Sequence, residues 1–362
     1  MNRKLTILPA DRCSTSATHS LDAEPSPPLR ATELGAFRYG SKREMKIVRK
    51  LARAMAEWEM VGEGDRVMVC VSGGKDSYAL LDALLLHRRT APFRYSVFAL
   101  NLDQGWPAYD VARIEAHLRT RDVEYHMMGA QIAPIVSAKL RPEATPCSLC
   151  SRLRRGALYR LAQELGATRI ALGHHLDDLA ETLMLNLFYS GQLKSMPPKL
   201  RAEDGKNIVI RPLAYVEEKE LIAYAREQRY PTVRCSCPTC GLPDQKRQVV
   251  KRLLASLEQD NPQLKRQMLA ALGNVRPAHL LDRDLLAALG PWAITFVFPG
   301  KFRNALPLLL PFALVAFFAG LLQPYNTFLT AHGAGRPLRN IALVLGVLNL
   351  GGLVVVVRTW GL

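Results

Sequence analysis

RVMVCVSGGKDS, residues 66–77, is the stretch from which the rest of the chain is read. Val67–Val71 is a short apolar run bounded by polar residues, which predicts a buried strand. Ser72-Gly73-Gly74 predicts a tight turn, because glycine admits backbone conformations closed to other residues and lets N–H groups approach a ligand. Apolar periodicity resumes at once, so a helix is expected over Lys75–His87 with its N-terminus aimed at the turn. That end carries partial positive charge and unpaired N–H donors, which favour an anion. Lys75 and the hydroxyls of Ser72 and Ser77 add a cation and further donors. An ordinary strand–turn–helix junction needs none of these groups, and the string lacks the longer G-x-x-x-x-G-K-[ST] spacing of the Walker loop.

Working outward, strands and helices alternate. Strands are expected at Ser96–Leu102, Val123–Met128, Arg169–Leu172 and Ile208–Leu213. Helices are expected at Ala108–Arg121, Arg152–Leu165, Asp177–Phe188 and Glu217–Gln228, with basic helices at 41–59, 245–258 and 264–272. Strands separated by helices at this spacing predict an α/β fold, a parallel sheet flanked by helices on both faces. Ligands of such sheets sit beyond the carboxyl ends of the strands. The Gly-Gly turn, Asn101-Leu102-Asp103-Gln104 and Gly173-His174-His175-Leu176-Asp177-Asp178 all fall there, so one cleft should collect them.

The 362 residues carry 48 Lys and Arg against 32 Asp and Glu, a net charge of +16 that points to a polyanionic partner such as nucleic acid, or to an anionic membrane surface. With no secretory signal in view, the seven cysteines argue for a reducing compartment, where spaced thiols bind metal more often than they pair. Cys147-Ser-Leu-Cys150 and Cys237-Pro-Thr-Cys240 are two C-x-x-C pairs. They fit a four-thiolate zinc site or an iron–sulfur cluster, and spacing alone does not choose. Arg152, Arg154 and Arg155 follow the first pair; at a helix start they oppose its dipole, so phosphate is their natural partner. Asp103, Asp177 and Asp178 are candidate Mg²⁺ ligands, Asp177 alternatively a helix cap.

SGGKDS at 72–77 resembles the PP-loop of ATP pyrophosphatases. With LNLDQ at 100–104, CSLCSRLRRGALY at 147–159, ELGATRIALGHHLDD at 164–178, LNLFYSGQLKSMPPKL at 185–200 and DGKNIVIRPLAY at 204–215, residues 42–285 resemble the tRNA 2-thiocytidine synthetases. The resemblance implies a PP-loop (adenine nucleotide α-hydrolase-like) fold and ATP-dependent 2-thiolation of cytidine 32 in the tRNA anticodon loop. It implies adenylation of the C2 oxygen, then sulfur transfer through a [4Fe–4S] cluster fed by a cysteine desulfurase, in a cytoplasmic homodimer that uses Mg²⁺. The ATP site carries over to Ser72, Gly73, Gly74, Lys75, Asp76, Ser77, Leu100, Asn101, Arg154, Gly173 and Asp178, with Lys75 and Asp178 catalytic. The cluster ligands carry over to Cys147, Cys150 and Cys240, with Cys237 as the alternative third; Cys235 departs from the pattern. Two rival readings stand beside it: a 2-thiouridine-type or other PP-loop tRNA-modifying enzyme, and a non-catalytic zinc-stapled RNA-binding protein.

Residues 1–40 read as a tail, disordered or over-extended, 41–289 as the thiolation domain, and 290–362 as a hydrophobic tail. Residues 305–322 and 341–357 are apolar on all faces and near the length that spans a bilayer. They predict an all-α hairpin and membrane contact through 305–357. Gly320–Leu350 is similar to part of a polysaccharide flippase.

Overall fold

The computed structural model describes residues 7–9, 38–139, 147–233, 237, 245–276 and 279–280. The chain divides into two units, Met1–Asn274 and Val275–Leu362. All of the elements below belong to the first.

Its sheet has seven strands: β1 (Ile7–Pro9), β2 (Arg66–Cys70), β3 (Ser96–Asp103), β4 (Glu124–Ala130), β5 (Arg169–Ala171), β6 (Lys199–Arg201) and β7 (Ile208–Ile210), in the order β1-β4-β3-β2-β5-β7-β6. The five inner strands run parallel, and β1 and β6 pair antiparallel at the two edges. The helices are α1 (Lys42–Glu57), α2 (Lys75–Thr90), α3 (Val111–Arg119), α4 (Ile132–Lys139), α5 (Cys147–Glu164), α6 (Leu176–Ser190), α7 (Glu218–Glu227), α8 (Lys246–Asp260) and α9 (Leu264–Gly273).

Alternation along each strand sends successive side chains to opposite faces. Val67, Val69, Val97 and Ala99 enter one core, with Ile47 and Leu51 of α1, Tyr78 and Leu81 of α2, Ile114 of α3 and Leu221 of α7. Met68, Phe98, Leu100 and Ile170 enter the other, with Ile132 and Val136 of α4 and Ala157, Leu158 and Leu161 of α5. Helices therefore cover both faces, as the run of parallel strands requires. From β2 the chain moves outward through β3 and β4, then crosses back to β5 on the other side of β2. The carboxyl end of β2 is thus the point where the strand order reverses, and the Gly-Gly turn sits on it.

Two edge strands and α4 go beyond the elements expected from the sequence. Both strands are three-residue pairings: Ile7–Pro9 meets β4 far along the chain, while Lys199–Arg201 folds back on nearby β7 as a hairpin. Helix α5 begins at Cys147, not at Arg152. The arginines therefore stand in its second and third turns, and the argument that they oppose a helix start does not apply to them. The C-terminal hairpin and the membrane contact through 305–357 lie outside the described residues; among those described, no helix is long and apolar enough to cross a membrane.

Candidate active site

The turn after β2 is shaped by its glycines. Gly73 has φ +77°, a left-handed value, and a Cβ there would stand 2.8 Å from Ile114 Cδ1. Its carbonyl accepts a hydrogen bond from Val233 N at 2.8 Å. Gly74 caps α2 with no side-chain bond. Ser77 Oγ donates to the Gly74 carbonyl at 2.8 Å, and accepts from Ser72 N at 3.2 Å. The loop is thus closed by its own hydroxyl.

The end of β5 presses on this loop. A Cβ on Gly173 would lie 3.1 Å from the Asp76 carbonyl carbon and 3.2 Å from Ser77 N. Only a glycine lets the end of β5 approach the start of α2 so closely. Asn101, at the end of β3, is fully buried and donates to the carbonyl of Val71 and to Tyr109 Oη, both at 2.7 Å, and Tyr109 Oη donates in turn to the Ser72 carbonyl at 3.2 Å. The three junctions singled out in the sequence therefore share one cleft. Leu100, 1% exposed, packs into the core, so any ligand contact there falls to its backbone.

Charge is concentrated at the start of α2. Lys75 Nζ donates to Asp76 Oδ2 at 3.0 Å and to Glu218 Oε1 at 3.2 Å. Burial works against the Lys75 charge, but these two carboxylates outweigh it and raise its pKa. Burial raises Asp76 above the usual carboxylate range, against the opposing pull of His175 and Lys75. Asp76 Oδ1 is buried and has no hydrogen-bond partner among the described residues, an orphaned acceptor that suits a divalent cation carried by a phosphate ligand. Burial also disfavours the Glu218 charge, yet the hydrogen bond from Lys251 and the nearness of Lys75 hold its pKa down at about 2.

Asp178 Oδ2 accepts from His175 N at 3.1 Å, closing a capping box at the start of α6, and Oδ1 accepts from Arg247 of α8. His175 Nε2 lies 3.4 Å from Asp178 Oδ2 and 4.0 Å from Asp76 Oδ2, which links the two carboxylates. Asp177 does something else. Its Oδ2 accepts from Glu218 N at 2.7 Å and its Oδ1 from Lys265 Nζ at 2.6 Å, so both oxygens are committed to α7 and α9. Asp177 thus ties α6 to α7 and α9. Asp103 Oδ1 accepts from Gly105 N at 2.8 Å. A cavity of about 190 Å³ with Asp177, Glu217, Glu218, Lys251 and Lys265 in its wall contains no residue of the loop.

The thiols stand on the same rim. Cys147 and Cys150 occupy the first turn of α5, three residues apart and so on one face. Cys150 Sγ donates to Gln104 Oε1, just beyond β3, at 3.3 Å. Burial raises the Cys150 pKa; Arg154 opposes this, while Cys237 and Cys147 reinforce it. Cys150 is thus near enough to feel the charge of each of the other two. Among the described residues, no group of three or more His, Cys, Asp or Glu is drawn together tightly enough to hold a metal ion. Cys240, the preferred third ligand, and Cys235 lie outside the described residues. The donor chemistry suits a sulfur-rich cluster: two thiols on one helix turn, with that of Cys237 within charge reach of Cys150.

Arg154 is within electrostatic reach of Cys70 at the end of β2, of Cys150 and of His174, which places its cation at the cleft. Sequence reasoning missed Glu218, Arg247 and Arg211. The Glu217-Glu218-Lys219-Glu220 run is visible, but nothing local says which helix it meets.

Comparison with known proteins bears on this geometry. A PP-loop domain profile matches residues 43–234. The tRNA-cytidine(32) 2-sulfurtransferase of Citrifermentans bemidjiense is 50% identical over 240 residues, 66% of this chain and 94% of that protein. The enzyme of the same name from Geobacter sulfurreducens is 49% identical over 243 residues, 67% of this chain and 95% of that protein. Among solved structures, the U34-tRNA thiolase NcsA from Methanococcus maripaludis with its [4Fe-4S] cluster superposes with a TM-score of 0.52 at 21% identity, over 69% of this chain and 86% of that one. That likeness is one of fold.

Proposed function

The chain belongs to the tRNA-cytidine(32) 2-sulfurtransferase family of PP-loop proteins, and on that footing we propose how its cleft works. It is a sulfurtransferase that performs ATP-dependent 2-thiolation of tRNA, here at cytidine 32. The C2 oxygen attacks the α-phosphorus of ATP, and the bond to pyrophosphate breaks. A sulfur nucleophile then adds to C2, the C2–O bond breaks, and AMP leaves with the original oxygen.

The N–H groups of Ser72, Gly73 and Gly74, the start of α2, Lys75 and Ser77 hold the phosphates. Arg154 reaches them from α5. Asp76 and Asp178 hold the Mg²⁺ that accompanies ATP. Leu100, Asn101 and Gly173 line the nucleotide. Lys75 and Asp178 act at the reacting phosphorus, where fixed charge offsets what develops on the leaving pyrophosphate. Cys147 and Cys150, with Cys240 or else Cys237, would hold a [4Fe–4S] cluster, which when bound supplies an iron not ligated by protein to carry the sulfur.

One observation carries this reading. Cys150 reaches Gln104 beyond β3 while the phosphate loop opens beside it on β2. Activated oxygen and incoming sulfur must meet at one carbon, and a shared rim allows that. The resemblance further supports a cysteine desulfurase as sulfur source, a homodimer, a cytoplasmic location, and catalysis confined to residues 41–289. Membrane contact through 305–357 rests on apolar run length alone; fractionation with all of the protein in the supernatant would remove it.

Nucleosides from tRNA of a deletion strain, read by mass spectrometry, test the assignment. Loss of 2-thiocytidine alone is expected, whereas loss of 2-thiouridine instead would transfer the enzyme to the rival chemistry. Anaerobically purified protein should be brown and release AMP and pyrophosphate with tRNA. Colourless, zinc-loaded protein inert toward ATP would overturn the reading.

A further inference from the structure

Arg211 follows β7 at the carboxyl end of the sheet. It is 7% exposed. Its Nη1 donates to the Pro197 carbonyl at 2.6 Å, and its buried Nε has no hydrogen-bond partner among the described residues. No carboxylate among the described residues forms a salt bridge with it. A buried guanidinium without a counter-charge is costly, and proteins rarely keep one unless an anion arrives. Burial drives its pKa down to about 10, with Tyr159 opposing and Arg155 adding to the shift.

Its surroundings are cationic. Arg155 on α5 is near enough to depress it. His174, at the end of the neighbouring β5, is pushed down to about 4 by burial; Asp178 opposes this, and the combined charge of Arg211, Arg154 and Arg247 adds to it. Of these, Arg247 is bound to Asp178 and Glu181, but Arg154 and Arg155 form no salt bridge among the described residues and are exposed. On the basic helices α1, α8 and α9 many cations are paired, while Lys42, Arg49, Lys246 and Arg252 form no salt bridge among the described residues. On α1, Arg43 binds Glu227, Lys46 and Lys50 bind Glu220, and Arg53 binds Glu57. On α8 and α9, Lys251 binds Glu218, Lys265 binds Asp177, and Arg266 binds Glu217.

We propose that Arg211, with Arg155 of α5, forms a phosphate-binding site at the ends of β5 and β7, beside the nucleotide loop and separate from it. Its ligand is a phosphate oxyanion, and the backbone of the RNA substrate is the source that the position favours. Arg211 supplies a held, desolvated fork, and Arg155 supplies exposed charge at the mouth. A guanidinium presents paired donors to phosphate oxygens, which a lysine cannot reproduce. The site rests on the reading of the chain as a tRNA-modifying enzyme.

The test measures tRNA binding and ATP binding by the full chain from low to moderate salt, for wild type, Arg155→Gln and Arg211→Lys. Arg155 is exposed, so its variant tests the site even if Arg211→Lys fails to fold. Each variant should weaken tRNA binding about tenfold, the scale of one hydrogen-bonded charge contact. The slope of log affinity against log salt should fall by about one. ATP affinity should stay within about twofold, the null outcome of a site that does not touch nucleotide. Loss confined to ATP would keep the phosphate chemistry and move its source to the nucleotide. Wild-type binding of tRNA with affinity and slope unchanged in Arg155→Gln and in any folded Arg211 variant overturns the site. Failure of the wild type itself to bind tRNA overturns the reading beneath it.

Discussion

Gly73 and Gly173 show how single residues bring the cleft together. A Gly73→Ala chain must place a side chain in a left-handed conformation and against Ile114, and should lose about 1–3 kcal/mol of stability along with ATP binding. Gly173→Ala has ordinary backbone angles available. Its added methyl meets the backbone of Asp76 and Ser77, which cannot yield as a side chain can. We expect a folded protein with ATP affinity lowered at least tenfold, by calorimetry, and an unchanged far-ultraviolet spectrum. A second pair separates the two halves of the chemistry. Lys75→Ala and Cys147→Ala should both abolish thiolation, yet only the first should weaken ATP binding; equal ATP affinities would mean that Lys75 does not touch phosphate. The glycines and Lys75 were legible because local conformational chemistry calls for them. Glu218 was not, because its role is defined by Lys75, 143 residues away.

At the scale of elements, α7 acts as an acidic hub. Glu217, Glu218, Glu220 and Glu227 take cations from α1, α2, α8 and α9. Glu220 also accepts from Glu217 N at 3.0 Å, closing a capping box. Glu220→Gln should cost about 1 kcal/mol in urea denaturation, since the partners are half-exposed and partly screened. Lys46→Ala should leave tRNA affinity almost unchanged, in contrast to Arg155→Gln; a large loss would mark this face of α1 as an RNA-binding surface. The amphipathic pattern of α1 and its basic residues were plain in the sequence, but their exposure to a partner was not. Charge on a helix face says nothing about which neighbour neutralises it. Helix α5 gives the opposite lesson. Its start at Cys147, after Pro146, was masked by the polar Cys-Ser-Leu-Cys-Ser-Arg run, and the structure shows that the cysteine pair is helical and so faces one way.

Among the described residues, histidines that desolvation holds neutral contribute to the response to acid. His87 is 8% exposed, its Nδ1 lies 2.8 Å from Tyr95 Oη, and burial pushes it down to about 4. Burial moves His117 and His174 to about 4 as well. In the unfolded chain each titrates near 6.5, at about its unperturbed value. Between those values the unfolded state binds more protons than the folded one, so stability is full above pH 6.5 and is lost as pH falls toward 4. For His87 alone the limit is about 3 kcal/mol. Urea midpoints measured from pH 7.5 to 4.5 should fall, and the fall should be shallower in His87→Gln. Parallel curves would place the acid sensitivity elsewhere.

The order of strands and helices, the phosphate loop and the cysteine pair all followed from residue order, because each depends on neighbours within a few positions. Val67–Val71 alternates between two cores whatever lies around it, and a Gly-Gly turn between strand and helix exposes N–H groups in any fold. The edge strand β1, the hub on α7, the use of Asp177 to join helices and the isolation of Arg211 came from contacts across tens to hundreds of residues. A carboxylate becomes a ligand, a cap or a strut according to which cation folding brings to it, and a guanidinium is paired or unpaired for the same reason. Coulombic partners are chosen by distance in space, and the chain order records distance only along itself.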